Sequence, residues 1–448
     1  MRVSARELHP AVSDPALSAV GDLNEVMARH PTAISFAPGA PHPDFFADLD
    51  IPALLDRYVG HLARERGLDR AAARLLLYEY GPARGLINDL VAEALRTDLG
   101  IACGPDSVVI TAGAQEAMLL TLRALCRSAE DVLAVVDPAY VGITGAARFL
   151  DIPVVPVEDM GAGPDLGRLE QVCADERRRG RRVRALYVAP DFANPSGTRM
   201  DLPSRRRLLE TAAREGFLVI EDSAYGFTAA GGDVLPPLKA LDQDESVIHL
   251  GTFSKVCLPG TRVGYVLADQ RTRGPEGSRP LAHHLAALKG AVTVNTSPLC
   301  QAVIGGMLLE HGGSLAPFTA RRSAFYRGNL RALLAALERH VGPAGRFDTR
   351  EASAEPPGPV WQRPAGGFFV RMRLPVPVDT ALLELSAARY GVLWTPMSPF
   401  WIGGGGDNEL RLSCSYLTPE RIREGATRLA RFLAGLPAPG GATPRVTP

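Results

Sequence analysis

The sequence predicts an α/β fold: a large domain built on a mostly parallel sheet with helices on both faces, plus a smaller α+β domain. Three observations predict it. Between residues 107 and 268, short apolar runs alternate with helical stretches, the pattern of parallel strands buried on both faces. After a long helix at about 315–340 the order becomes strand, helix, strand, helix. The length, 448 residues, exceeds what one ordinary core supports.

Each element has its own signal. Residues 1–30 read as a loop and an amphipathic helix, and AISFAPGAPHPDFF (33–46) as a short strand and a Gly/Pro-rich turn. IPALLDRYVGHLARERGLDRAAARLLL has a helical period, YEYGPARG breaks it, and INDLVAEALRTDLG is a helix ending at Gly100. SVVIT (107–111) is a strand, followed by a helix opening on Gly113. DVLAVVD (131–137) is a strand stopped by Pro138, YVGITGAARFL is helical, and IPVVPV is the next strand. RALYVAP (184–190), FLVIED (217–222), SVIHLGTF (246–253) and TRVGYVLA (261–268) are strands, with the helix SRRRLLETAAREG among them. GGFFVRMRLP and ELRLSCSY are the later strands, and TALLELSAARYG and TPERIREGATRLARFLAGL the later helices. The Pro/Gly-rich stretch 350–367 is read as a loop.

Composition excludes several classes. Basic and acidic residues balance at 49 each, so there is no electrostatic footprint for nucleic acid or an anionic membrane. The six cysteines form no CxxC pair, which argues against a metal site and for reduced thiols in a cytoplasm. The start, MRVSARELHPAVSDPALSAV, lacks an apolar secretory core, and no apolar run is long enough to span a membrane. Only three of the 49 basic residues are lysines: Lys239, Lys255 and Lys289.

In open α/β sheets, ligands bind outside the carboxyl ends of the strands, so the polar residues there are the candidates. Gly113 in TAGAQEA opens a helix whose free N–H groups make either an anion site or a plain tight turn. Asn194 in DFANPSGT is held by Pro195, as a ligand donor or as a turn former. Glu221 and Asp222 end a buried strand, where a carboxylate needs a partner; a pyridinium nitrogen would serve, and the competing reading is a helix cap. Lys255 stands beside Thr252 and Ser254, with Arg262 beyond a Pro-Gly turn, which together suggest a phosphate neighbourhood rather than a solvated loop lysine. Arg411 lies inside the apolar strand ELRLSCS and wants a carboxylate, from a ligand or from the chain's own Asp or Glu.

Together these stretches resemble the fold-type I pyridoxal-phosphate enzymes of the class I/II aminotransferase family. The likeness is to the branch of 2-aminoadipate and kynurenine aminotransferases and of the catalytic domains of MocR-like regulators. Its markers FAPGAP, YEYGPARG, TAGAQEA, DPAY, DFANPSG, EDSAYG, GTFSKVCLPGTRVGY and ELRLSCS occur in order across about residues 30–435. The resemblance implies an aspartate-aminotransferase-like fold with a seven-stranded type of sheet, pyridoxal 5'-phosphate as cofactor, amino acid and 2-oxo acid substrates, and a homodimer with a shared site. It implies that Lys255 forms the cofactor Schiff base and that Asp222 pairs with the ring nitrogen. Asn194 and Tyr225 would then donate to the phenolate oxygen, and Tyr140 would stack on the ring. Gly113, Ala114 and Gln115 would cradle the phosphate with Thr252, Ser254 and Arg262, and Tyr80 would reach the phosphate of the neighbouring subunit. Arg411 would clamp the substrate carboxylate, with Gly39 beside the substrate.

The expected reaction is amino transfer, with elimination, replacement, decarboxylation or oxidation on the same cofactor as the alternative. The N-terminal helix lacks the arginine of some dicarboxylate-specific members, and WIGGGGDNEL (401–410) is expected to shape the pocket ahead of Arg411. About 30 residues precede AISF, too few for the regulators' winged helix. The expected division is 1–60 and 326–436 in the small domain, 61–325 in the large one, and a disordered tail at 437–448.

Overall fold

The computed structural model describes residues 4, 7–230, 233–274, 277–345 and 358–437. Seven strands form the main sheet: β1 (Val108–Thr111), β2 (Asp131–Asp137), β3 (Val154–Glu158), β4 (Arg182–Val188), β5 (Leu218–Ser223), β6 (Val247–Thr252) and β7 (Gly264–Leu267). Their spatial order is β1-β7-β6-β5-β4-β2-β3. Only β7 runs against its neighbours, antiparallel to both β1 and β6. The other pairs are parallel, so each crossover carries the chain back over a face of the sheet.

Strand alternation sorts the two faces. Leu133 and Val135 of β2 point to a core shared with the helices Ala114–Leu125, Val141–Phe149 and Leu281–Val292. Ala134, between them, points to the helices Leu166–Arg178 and Leu202–Glu215. At the β1–β7 edge, the helix Ile51–Arg66 packs against the helix Pro298–Glu310. Gly306 permits this approach: a Cβ there would lie 2.1 Å from the Leu54 carbonyl oxygen.

A second sheet joins β8 (Val360–Trp361), β9 (Phe369–Arg373), β10 (Thr395–Pro396) and β11 (Glu409–Ser413) in the order β8-β9-β11-β10, with every pair antiparallel. Its core takes in the helices Ala316–His340 and Pro419–Ala434, and also Val26, Ile34 and Phe36 from the N-terminal segment. Ile34–Ser35 adds to it by pairing in parallel with Val392–Leu393.

Four details differ from the sequence reading. The helix Leu166–Arg178 went unrecognised because Glu176, with its arginine partners Arg179 and Arg181, interrupts the apolar face. β6 stops at Thr252, whose hydroxyl accepts from the Ser254 N–H and starts the helical turn Phe253–Val256. β7 starts at Gly264, because Pro259–Thr261 is a tight turn and Arg262 takes a left-handed φ of 50°. Val360–Trp361 pairs as an edge strand within the expected loop. Residues 350–357 of that loop and 438–448 of the tail lie outside the described residues.

Candidate active site

The carboxyl ends of β2, β4, β5 and β6 open on one cavity of about 670 Å³, whose remaining wall comes from the N-terminal segment and from residues around β10 and β11. Twelve of the fourteen residues given a role by the resemblance line it: Gly39, Ala114, Gln115, Tyr140, Asn194, Asp222, Tyr225, Thr252, Ser254, Lys255, Arg262 and Arg411. Gly113 stands immediately behind, as the residue before the helix Ala114–Leu125. Tyr80 does not join them and is 89% exposed.

Lys255 sits on the turn Phe253–Val256 and donates from Nζ to the Gly39 carbonyl at 2.6 Å. Burial, and then the cations Arg411 and Arg262, push its amine down to about 8 against the pull of Asp222. The other two lysines differ. Lys289 pairs with Glu116 at 2.7 Å, and Lys239 with Asp242 and Asp269 at 2.9 and 2.8 Å. Among the described residues, Lys255 alone of the three has no carboxylate partner, so its amine is the one kept available.

Successive residues of β5 face opposite ways. Glu221 accepts from His249 Nδ1 at 2.8 Å and from the Leu238 and Lys239 N–H groups at 2.6 and 3.0 Å. Burial would raise Glu221, but these partners outweigh it and hold the carboxyl below its ordinary range. Asp222 faces the cavity, and burial raises it. The Tyr187 hydroxyl donates to its Oδ2 at 2.5 Å.

At the opposite end, Gly113 has a φ of 82°, and a Cβ there would lie 2.5 Å from the Arg262 guanidinium. Arg262 donates to Ser254 Oγ at 3.2 Å. A close-approached helix start, two hydroxyls and an arginine converge there, which is what an anion requires.

The family model for class I and II aminotransferases matches residues 63–429. This chain belongs to that family. It is a pyridoxal-phosphate-dependent aminotransferase, moving an amino group between an amino acid and a 2-oxo acid. It is 46% identical over 434 residues to a (S)-3,5-dihydroxyphenylglycine transaminase from Amycolatopsis orientalis, covering 96% of this chain and 95% of that one. It is 34% identical over 415 residues to a 2-aminoadipate transaminase from Thermus thermophilus, covering 92% of each. An alpha-aminoadipate aminotransferase structure from Thermus thermophilus, complexed with N-(5'-phosphopyridoxyl)-L-leucine, superposes with a TM-score of 0.76 at 30% identity, covering 97% of this chain and 99% of that one.

In this aminotransferase, Arg411 is buried with no carboxylate partner among the described residues. Its guanidinium donates to Asn194 Oδ1 at 2.6 Å, the Ala37 carbonyl at 2.9 Å and Thr395 Oγ1 at 3.2 Å. Its Nε has no hydrogen-bond partner among the described residues, and the Phe369 and Phe400 ring centroids lie 4.4 and 5.3 Å from the guanidinium carbon. The salt-bridge reading of Arg411 is thus displaced by an arginine short of an anion.

The expectation for the glycine-rich loop is corrected. Ser398, Pro399 and Phe400 line the cavity, whereas Gly404, Gly405 and Gly406 line a separate groove with Trp401. The loop is anchored by Asp137, which accepts from the Ile402 and Gly403 N–H groups at 3.1 and 3.3 Å. Sequence reasoning missed Tyr187, though a tyrosine inside a buried strand signals a hydroxyl in need of a partner. It also missed Asp22 and Asp379 at the cavity mouth, which had no local signal.

Proposed function

We propose that this aminotransferase holds pyridoxal phosphate in the cavity and acts on α-amino acids whose side chains carry no carboxylate. The carrying observation is Lys255, a half-buried amine brought near neutrality beside Asp222 and Arg411. The residues present fit the cofactor. Asp222 would meet the ring nitrogen, Tyr140 the ring face, and Asn194 and Tyr225 the ring oxygen. The helix start at Gly113, Ala114 and Gln115 would hold the phosphate with Thr252, Ser254 and Arg262. Bound there, the cofactor supplies an electron sink for the substrate Cα. Lys255, as a neutral amine, would take the Cα proton and hold it for return. Asp222 would favour a protonated ring nitrogen by pairing with it. Arg411 orients the substrate by its α-carboxylate, beside Gly39.

The side-chain end of the cavity supports the substrate class. Among the described residues its lining offers no cation beyond Lys255, Arg262 and Arg411, and Asp22 and Asp379 stand at its mouth. A second carboxylate on the substrate would meet like charge. The (S)-3,5-dihydroxyphenylglycine transaminase relative makes hydroxylated aromatic donors the first class to test. In a donor screen read by cofactor absorbance, neutral aromatic donors outpace aspartate, glutamate and 2-aminoadipate, and Lys255→Ala is inactive. Equal turnover of dicarboxylates, or an active Lys255→Ala enzyme, defeats this reading.

The working unit is read as a homodimer with a shared site. Tyr80 is exposed with Tyr78, near the exposed Leu299, and Gly81 lies against Pro298. An active monomer in light scattering would exclude it. The core that Val26, Ile34 and Phe36 share with residues 330–433 supports a small domain made from both ends of the chain, read as 1–60 and 326–436 beside a large domain 61–325, but Leu54, Tyr58 and Val59 pack in the core of the large domain and move the first boundary ahead of the helix Ile51–Arg66. All six cysteines are free thiols, which supports a cytoplasmic setting. Among the described residues, no helix is long and apolar enough to cross a membrane.

A further inference from the structure

Tyr187 lies on β4, beside β5 in the sheet, and pairs there with Ile220. It is 2% exposed, yet it lines the cavity with Asp222. Its hydroxyl is the only side-chain group among the described residues that hydrogen-bonds Asp222. The contrast with Glu221 is instructive. Glu221 has two backbone N–H groups and His249 to hold its charge. Asp222 has Tyr187. A donor on one carboxylate oxygen favours the ionised form and restricts rotation about the carboxyl. The second oxygen is then left for a ligand.

We propose that Tyr187 is a positioning residue: its hydroxyl keeps Asp222 ionised and leaves the other carboxylate oxygen to pair with a protonated ring nitrogen. This rests on the reading of Asp222 given above, and the experiment separates the two. The other titratable groups close enough to act on Asp222 are Glu221, its neighbour on the opposite face of the strand, His249 on β6, Lys255 on the turn after β6, and Tyr140 and Tyr225 from the neighbouring loops. None of them changes in the test.

In the holoenzyme, Tyr187→Phe lowers kcat about tenfold or more, with the amino acid KM changed by less than about threefold, the pattern of an interaction that matters in the transition state. The acid limb of the kcat/KM profile moves to higher pH, because Asp222 protonates more readily. Pyridoxal phosphate titrated into apoenzyme binds about tenfold more weakly by fluorescence, as expected for loss of a hydrogen bond to a charged group. With a cofactor analogue carrying carbon in place of the ring nitrogen, wild type and Tyr187→Phe turn over equally. Difluorotyrosine at position 187, which preserves the shape and strengthens the donor, moves the acid limb the other way.

The proposal is overturned if Tyr187→Phe leaves kcat, the acid limb and cofactor affinity unchanged while Asp222→Asn is crippled. It is also overturned if the Tyr187→Phe defect persists undiminished with the analogue, since the role is then structural. If Tyr187→Phe fails to fold, an acid limb unmoved by difluorotyrosine overturns it. An Asp222→Asn enzyme of full activity removes the underlying reading itself.

Discussion

Lys255 Nζ and the Gly39 carbonyl meet at 2.6 Å across 216 residues of sequence. Arg322 ties the same two segments together. Its guanidinium donates to the Val256 and Cys257 carbonyls just after the lysine, at 2.9 Å for Cys257, and to the Phe45 carbonyl just after the N-terminal turn at 3.0 Å. The lysine turn is therefore held to the chain's N-terminal segment from two sides.

The first prediction concerns pH. Cofactor capture needs the neutral amine of Lys255, so its rate in apoenzyme rises about tenfold per pH unit below 8 and levels off above it. The sign for stability follows from the same depression. The unfolded lysine holds its proton up to 10.5 and the folded one only to about 8, so this group adds stability as pH rises between those values. Stopped-flow absorbance across pH 6–9 checks the rate, and a flat profile counts against it.

Arg411→Lys raises the KM of both amino acid and oxo acid about 10- to 100-fold, because a point charge cannot reproduce the planar fork. The Phe369 and Phe400 rings leave the shorter ammonium in an apolar slot. Steady-state kinetics in both directions decide it. An unchanged KM would mean that the carboxylate binds elsewhere.

Lys289→Met leaves Glu116 charged and buried at the start of the helix Ala114–Leu125. The loss is about 1–3 kcal/mol in urea unfolding, since Glu116 loses its counter-charge but keeps the Ala112 N–H and the Thr293 hydroxyl, each at 2.6 Å. Adding Glu116→Gln restores much of it. If the single variant is as stable as wild type, the pair carries no such weight.

Two glycines of the 403–406 loop separate strain from overlap. Gly404 has a φ of 82° with open space around it, so Gly404→Ala costs about 1–2 kcal/mol from backbone strain. Gly406 has a φ of 70°, and a Cβ there would lie 2.1 Å from Trp401 Cδ1, so Gly406→Ala costs more. Because the loop lies outside the cavity, Gly404→Ala keeps KM within about twofold of wild type. Equal unfolding midpoints for the two variants would refute the distinction.

Much of this was legible in the chain itself. The scarcity of lysine pointed at Lys255, although the structure shows that Lys239 and Lys289 persist for a different reason, as buried partners of carboxylates. Asp222 was legible because an acid ending an apolar strand is costly without a partner. Tyr187 signalled only that its hydroxyl needs a partner; which partner was not legible, because Asp222 lies on the adjacent strand 35 residues on. The glycine loop misled, since Gly404, Gly405 and Gly406 line a groove separate from the cavity that Arg411 lines, although only a few residues divide them in sequence.

Local chemistry needs only the sequence. Apolar runs set the strands, Gly100 and Gly216 stop helices in left-handed conformations, and the polar residues after each strand name much of the cavity's lining. The order β1-β7-β6-β5-β4-β2-β3 and the closure of the N-terminal segment over β6 belong to the tertiary structure alone. Contacts such as Lys255 with Gly39 and Arg411 with Asn194 join positions more than 200 residues apart. No periodicity reaches that far, because such pairs form only when whole packed faces, each burying its apolar side, bring them together.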